Sequence, residues 1–412
     1  MTMRDETDID GGLNYPLETR KSQTIIVGYI HGDYPYKRNI IGMVPDAEYK
    51  KVQDLFTMLN AWAPRLNQKL KREIFPTDEY RCKFNDFNLN KVSLFHFFNT
   101  ISYGQTPWIA TFETILPRGI RRAHDLYYKR KIRKALARIA GDSCKRIIAM
   151  SDCNANMQRD LLKNFQEYKE RIESKLEVMH PPQKLYTSCY SDKHFNLEGT
   201  LKFMFVGALF FRKGGMEIVE TFINLRERYG YDIELVVVSS LLAGNFATKE
   251  GPEDVERARN LIEQNSSWIR WYPKLKNDKT IELMKNSHIG LLPTYADTYG
   301  FSVLELQATG CPCITTNVRA LPEINNFDTG WVIDVPKQQS GEAIYATKDD
   351  RNVISKLIRN GLEKTIHEIF TDRSIIAQKA EKSIARIKEH HSVERYAARM
   401  KNIYQEALVK RA

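Results

Sequence analysis

From Phe203 onward the chain alternates short apolar runs with amphipathic stretches, and this alternation limits its fold more than any other feature. Phe203–Val206, Ile233–Ser239, Trp268–Tyr272, Ile289–Leu292 and Pro312–Thr316 have the length and composition of strands. Between the first two, Met216–Tyr229 places Ile218, Val219, Phe222 and Leu225 on one helical face and stops at Gly230. Pro252 opens a second helix where its missing N–H costs nothing, Asp278 is expected to cap a third, and a fourth runs from about Val303 to Thr309. Alternation of strand and helix argues for a parallel sheet covered on both faces. Repeated β-α units of this kind predict a doubly wound sheet whose ligands lie at the carboxyl ends of its strands.

The first half carries the same pattern more faintly. Strand-like runs occur at Thr24–Ile30, Val92–Phe97, Trp108–Phe112, Arg146–Met150 and Leu176–Met179, with helical patterns at Glu48–Leu70 and Ala123–Ala140. The 412 residues suit two α/β domains better than a single core. Residues 1–22 read as a disordered leader, 23–185 as a first Rossmann-like domain and 198–390 as a second, joined through Pro181-Pro182 and a polar linker.

Composition narrows the classes. No apolar run approaches the roughly 20 residues that span a bilayer. The polar, acidic start Met1–Asp8 is unlike a signal peptide, and the six cysteines show no zinc-type spacing, so a reducing, cytoplasmic compartment is expected. The single Asp-x-Asp, Asp8-Ile9-Asp10, falls in the leader, and no metal is expected.

Two loops carry chemistry. After Phe203–Val206 comes Gly207-Ala208-Leu209-Phe210-Phe211-Arg212-Lys213-Gly214-Gly215: a glycine leaves the strand, two cations follow, and glycines open a helix. Backbone N–H groups at a helix start bind anions, and Arg212 and Lys213 add full charges, so a diphosphate suits the site; a solvated basic turn is the alternative. After Ile289–Leu292 comes Pro293-Thr294-Tyr295-Ala296-Asp297-Thr298-Tyr299-Gly300-Phe301-Ser302-Val303-Leu304-Glu305. Asp297 and Glu305 are carboxylates able to accept hydrogen bonds from the vicinal hydroxyls of a sugar or ribose. Equally, Ser302-x-x-Glu305 reads as a capping box and Asp297 as a turn residue. Both loops leave the same sheet at the same edge, which brings cations and carboxylates together.

At these residues the chain resembles the retaining glycosyltransferases of family four, which have the GT-B fold of two Rossmann-like domains facing across a cleft. Gly207, Lys213-Gly214, Pro293, Asp297, Gly300-Phe301, Glu305, Gly310 and Pro312 carry the resemblance, and Ile148-Ala149-Met150-Ser151 resembles a first-domain strand ending in serine. The resemblance implies a nucleotide-sugar co-substrate and no other cofactor. Lys213 would neutralise the diphosphate, Glu305 would bind the donor ribose and Asp297 the transferred sugar, with the backbone of Tyr299–Ser302 against sugar and phosphate. Tyr272 and Lys274, in Trp271-Tyr272-Pro273-Lys274, are expected near the base. Catalysis would rest on stabilising the leaving diphosphate through Lys213, Arg212 and helix amides, with retention and without an enzymatic nucleophile. The closing helix, residues 391–412, is expected to pack back on the first domain.

The chain departs from the family at three positions. Ala208 stands where arginine is usual, with Arg212 as a source of the missing charge; Asp297 replaces glutamate; Glu113 replaces a histidine after Trp108–Phe112. His31, Asp33, His96, Asn99 and Glu113 end first-domain strands and are the acceptor-side candidates. The acceptor is expected to be a glycan or lipid-linked molecule, in surface polysaccharide or glycoconjugate synthesis.

Charge adds one more feature. Arg118–Arg146 holds eleven Lys or Arg against two Asp, so nine of the net eleven positive charges lie there. Tyr128, Ile132, Ala135, Leu136 and Ile139 form an apolar stripe along it, which suits either an anionic membrane surface or a core-facing helix with a solvated back. No nucleic-acid motif accompanies the charge, so no such partner is expected. A sugar-nucleotide-binding protein without turnover and a glycan hydrolase or phosphorylase are the competing readings; the hydrolase does not need a diphosphate cradle.

Overall fold

The computed structural model describes residues 24–72, 80–118 and 126–409. It contains two Rossmann-like domains facing each other across a cleft. The first supplies β1 (Ile25–Tyr29), β2 (Ala47–Lys51), β3 (Lys83–Phe84), β4 (Leu94–Phe98), β5 (Ile101–Ser102), β6 (Trp108–Phe112), β7 (Cys144–Ala149) and β8 (Leu176–Val178). Six of these form one parallel sheet in the order β2-β1-β4-β6-β7-β8, and β3 pairs with β5 apart from it.

The second domain supplies β9 (Leu201–Val206), β10 (Ile233–Val238), β11 (Ile269–Tyr272), β12 (Ile289–Leu292), β13 (Cys313–Thr316) and β14 (Gly330–Ile333). They pair in parallel in the order β11-β10-β9-β12-β13-β14. The strand order reverses between β9 and β12, and the crevice opened at such a reversal is where doubly wound sheets take ligands. β4, β6, β12 and β13 are buried along their whole length, because helices cover both faces of each sheet.

Three helices close the chain. Lys348–Thr371 packs on the helix Gly215–Tyr229, and Ser374–His390 packs on the helix Phe301–Ala308. Val393–Leu408 crosses to the first domain, where Tyr396, Met400, Ile403, Tyr404 and Ala407 cluster with Val27, Leu94, Ile109 and Ile148. One element therefore ties the end of the second domain to the sheet of the first.

Three local expectations change. The helical reading of Glu48–Leu70 begins too early: Ala47–Lys51 pairs residue for residue with β1 as an edge strand, and the helix spans Leu55–Lys69. Glu48, Lys50 and Lys51 favour helices intrinsically, but a charged residue is also well placed on a sheet edge. Asp54 then starts the helix, accepting from Thr57 N while Thr57 Oγ1 accepts from Asp54 N, both at 2.8 Å. Asp278 lies in the first turn of Asn277–Lys285, not at its cap, which is Lys276. Finally β14, only four residues long, falls outside the runs recognised in the sequence.

Candidate active site

The loops after β9 and β12 meet backbone to backbone. Gly214 has φ +81°, and a Cβ there would lie 2.1 Å from the Pro293 carbonyl oxygen, so only glycine permits this approach. Tyr295 N donates to Arg212 O at 2.9 Å, and Thr294 Oγ1 donates to the same oxygen at 3.0 Å. This contact brings the Lys213 ammonium onto the Asp297 carboxylate in a largely buried ion pair. Lys213 crosses above Gly207, where a Cβ would stand 3.0 Å from Lys213 Cγ.

Burial alone would raise the Asp297 pKa. The charge and hydrogen bond of Lys213, helped by the charge of Arg212 and the Tyr299 N–H, outweigh it and hold the carboxyl below its ordinary value. Arg212 lies with its guanidinium carbon 5.9 Å from the Phe246 ring centroid, and its buried Nε has no protein partner. An unpaired buried guanidinium N–H is costly unless an anion meets it.

Beyond Gly300, at φ +96°, the helix Phe301–Ala308 begins. The capping box is not formed: Gly300 is the cap and Ser302 lies inside the helix. The Glu305 carboxylate instead accepts from Tyr34 Oη at 2.8 Å and Asn277 Nδ2 at 3.1 Å, with Arg38 Nη1 at 3.9 Å. Tyr34 and Arg38 come from the first domain, and both pack on Phe301. Tyr299 is fully buried, with Oη 3.1 Å from His180 Nδ1 in the inter-domain linker. Tyr272 ends β11, its carbonyl accepting from Ser239 N at 3.0 Å, and Lys274 is exposed; among the described residues neither bonds to Glu305 or Lys213. Asn277, three residues beyond Lys274, is the residue of that segment that reaches Glu305.

The facing wall is a cavity of about 850 Å³ lined by His31, Asp33, Asn99, Glu113, Arg118 and Arg319, among others. Glu113 is held at every polar atom. Its N donates to Asn99 Oδ1 at 3.1 Å and its carbonyl accepts from Asn154 Nδ2 at 2.7 Å. Its carboxylate pairs with Arg118 and accepts from Asn99 Nδ2 at 3.3 Å and, across the cleft, from Thr298 Oγ1 at 3.1 Å. His31 has its pKa lowered by burial, which the charge of Asp33 only partly opposes. Arg319 enters from the second domain, paired with Glu342.

His96 does not belong to this wall. It is fully buried, its ring nitrogens 2.9 Å from Tyr404 Oη and 2.8 Å from Thr111 Oγ1, and burial pushes its pKa down to about 3. Strand alternation explains the difference: His96 points to the face covered by the last helix, whereas Asn99 lies just past the strand end. Sequence reasoning missed Tyr34, Arg38, Asn277, Thr298 and Arg319. Each acts through a partner distant in sequence, so no local spacing marks it.

Two further features bear on the cleft. Glu323 Oε2 and Oε1 accept from Asp152 N and Cys153 N, both at 2.8 Å, so the second domain closes the N-terminus of the helix Asp152–Leu162, whose cap is Ser151. Asp152, His180 and Glu323 are the one group among the described residues able to share an ion, their ligand atoms lying within 4.8 Å of one another. The Glu323 oxygens are already engaged by those backbone groups. In the basic stretch, Ile132, Ala135, Leu136 and Ile139 are buried in the first-domain core, so that stripe faces inward and only the basic back meets solvent. The Tyr128 side chain, the leader and Asp8-x-Asp10 lie outside the described residues.

Residues 190–364, which contain both loops, match the model of the family described as glycosyl transferases group 1. The chain carries a group 1 glycosyltransferase domain. Among curated proteins it is 30% identical over 106 residues to N-acetyl-alpha-D-glucosaminyl L-malate synthase of Bacillus anthracis, covering 25% of this chain and 27% of that one. It is 27% identical over 175 residues to the capsular polysaccharide biosynthesis glycosyltransferase CapM of Staphylococcus aureus, covering 42% of each. The matches thus span less than half the length of either relative. Anabaena HepE, solved with UDP and glucose, superposes with TM-score 0.54 at 13% identity, over 93% of this chain and 99% of that one. Around the glycosyltransferase domain, the two-domain arrangement is the GT-B fold.

Proposed function

We propose that the chain transfers a sugar, with retention of anomeric configuration, from a nucleotide-diphosphate sugar to a glycan or lipid-linked acceptor in polysaccharide or glycoconjugate synthesis. The observation that carries the reading is the junction at the strand-order reversal, where Lys213, the unpaired Nε of Arg212 and the start of the helix Phe301–Ala308 converge beside Asp297. This is a site for a diphosphate with a polyhydroxylated group attached. The family match and the names of the relatives support it.

In this reading the bond from the anomeric carbon to the diphosphate oxygen breaks, with its electron pair passing to the diphosphate. Lys213, Arg212 and the helix N–H groups stabilise that charge, with Arg212 supplying what Ala208 lacks. The acceptor hydroxyl bonds on the face the diphosphate leaves, and its proton passes to the departing phosphate oxygen. Asp297 orients the transferred sugar and Glu305 the ribose. Glu113, fixed between Asn99, Arg118 and Thr298, positions the acceptor hydroxyl together with His31 and Asp33.

The test is incubation with UDP-, GDP-, ADP- and dTDP-sugars in the presence of a chelator, with product configuration read by proton NMR. Release of nucleoside diphosphate and a product of unchanged anomeric configuration supports the proposal. An inverted product refutes retention, and affinity without release marks a binding protein.

A further inference from the structure

We infer that the first domain docks on an anionic lipid surface through the helix Leu55–Lys69, a different element from the basic helix singled out by charge. Leu55, Met58, Trp62, Leu66 and Leu70 follow one another at spacings of three and four residues, which lays them along one side of the helix. All five are exposed, Trp62 by 70% and Met58 by 60%. A continuous exposed row of this size marks an interaction surface. The helix is also seated on the domain: Asp54 caps it and accepts from Asn85 N at 2.6 Å, while Ala63, about a quarter turn round the helix from Trp62, is buried. The apolar row is therefore presented outward by a fixed element.

Charge decides what the row meets. From Leu55 to Arg72 there is no acidic residue, and Arg65, Lys69, Lys71 and Arg72 are all exposed. One groove of about 350 Å³ is lined by Phe56 of this helix and by Lys134 of the helix Leu126–Ala140. Its exposed Lys129, Arg130 and Lys134 have no carboxylate partner among the described residues. An apolar row beside unopposed cations matches acyl chains beneath acidic headgroups. A second copy docked face to face would instead set these cations against their own kind. Cys82 and Arg118 line both this groove and the inter-domain cavity, so the groove beside Phe56 adjoins the cleft. The inference does not depend on the transfer chemistry, because its readout is binding.

The experiment is flotation of the full chain with vesicles of phosphatidylcholine, with and without phosphatidylglycerol. It compares wild type with Trp62→Glu, Trp62→Ser and Lys69→Glu/Lys71→Glu, and melting temperatures serve as the folding control. The expected result is binding to the phosphatidylglycerol vesicles only, reduced about tenfold or more in Trp62→Glu and in the double variant, with Trp62→Ser between. Vesicles containing brominated lipid are expected to quench tryptophan fluorescence in wild type and not in Trp62→Ser. Absence of binding, or binding indifferent to Trp62→Glu, overturns the inference. So does a concentration-dependent dimer, dissolved by Trp62→Glu, in a chain without vesicle affinity.

Discussion

The two walls of the cleft are built on different principles. On the second domain, the loops after β9 and β12 are shaped by backbone: Gly214 is pressed against Pro293 O, and Gly300 starts a helix at a positive φ. On the first domain, the wall is made of side chains that hold one another, with Glu113 bound by Asn99, Arg118 and Thr298. A wall of backbone is specified by a few adjacent residues and suits a ligand part that does not vary, such as a diphosphate. A wall of paired side chains can be rebuilt one residue at a time, which suits a variable acceptor.

That contrast makes predictions of decreasing size. Gly214→Ala forces a Cβ into Pro293 O at a positive φ, so the loops must part. Stability is expected to fall by about 3 kcal/mol and nucleotide binding to disappear, read by thermal melting and calorimetry. Lys213→Ala removes the cation facing the leaving group and leaves Asp297 buried without its partner. Turnover is expected to drop about a thousandfold. Adding Asp297→Asn should restore most of the lost stability and none of the turnover, as a double-mutant cycle would show.

Glu113→Gln tests the other wall. Transfer to acceptor should fall about a hundredfold while slow hydrolysis of the donor is unchanged. Equal loss of both would place Glu113 on the donor side and break the comparison.

The first domain also carries a pH signature. His96, held near pKa 3, is neutral in the folded chain, whereas its unfolded form takes up a proton below about 6.5. Its folded pKa is depressed, so stability falls as pH drops through 6.5 and continues to fall until about 3. Between pH 7 and pH 5 the loss is about 2 kcal/mol for this residue, with His391, also near 3, contributing similarly. His96→Gln should flatten the dependence of melting temperature on pH by one proton. The smallest effect concerns Tyr34, which donates to Glu305 at 2.8 Å where the ribose is proposed to bind. Tyr34→Phe should tighten donor affinity by roughly threefold to tenfold, measured by calorimetry.

The same contrast explains what could be read without coordinates. The parallel sheet of the second domain was legible because its runs Phe203–Val206, Ile233–Val238 and Ile289–Leu292 are apolar but for Glu234 and bounded by a glycine, proline or charged residue. The pairing of Lys213 with Asp297 was foreseeable as two loops leaving one sheet edge. Edge strands were less visible, as Ala47–Lys51 shows, because their composition overlaps that of an exposed helix. Glu305 was readable as a carboxylate at a helix start, but its engagement by Tyr34, 271 positions away, depends on how the domains face each other. His96 and Asn99 looked equivalent in sequence, and a three-residue offset sends one into the core and the other into the cleft. Signals carried by one segment survive in a sequence; those made by two distant segments appear only in the fold.

The central claim is that the crevice between β9 and β12 holds a nucleoside diphosphate. The most direct measurement is calorimetric titration of UDP, GDP, ADP and dTDP into wild type, Lys213→Ala and Glu305→Ala, each with a melting curve to confirm folding. One base should bind to wild type and lose affinity in both variants, Lys213→Ala through the phosphates and Glu305→Ala through the ribose. Absence of binding by all four, or binding unchanged in both variants, would contradict the account.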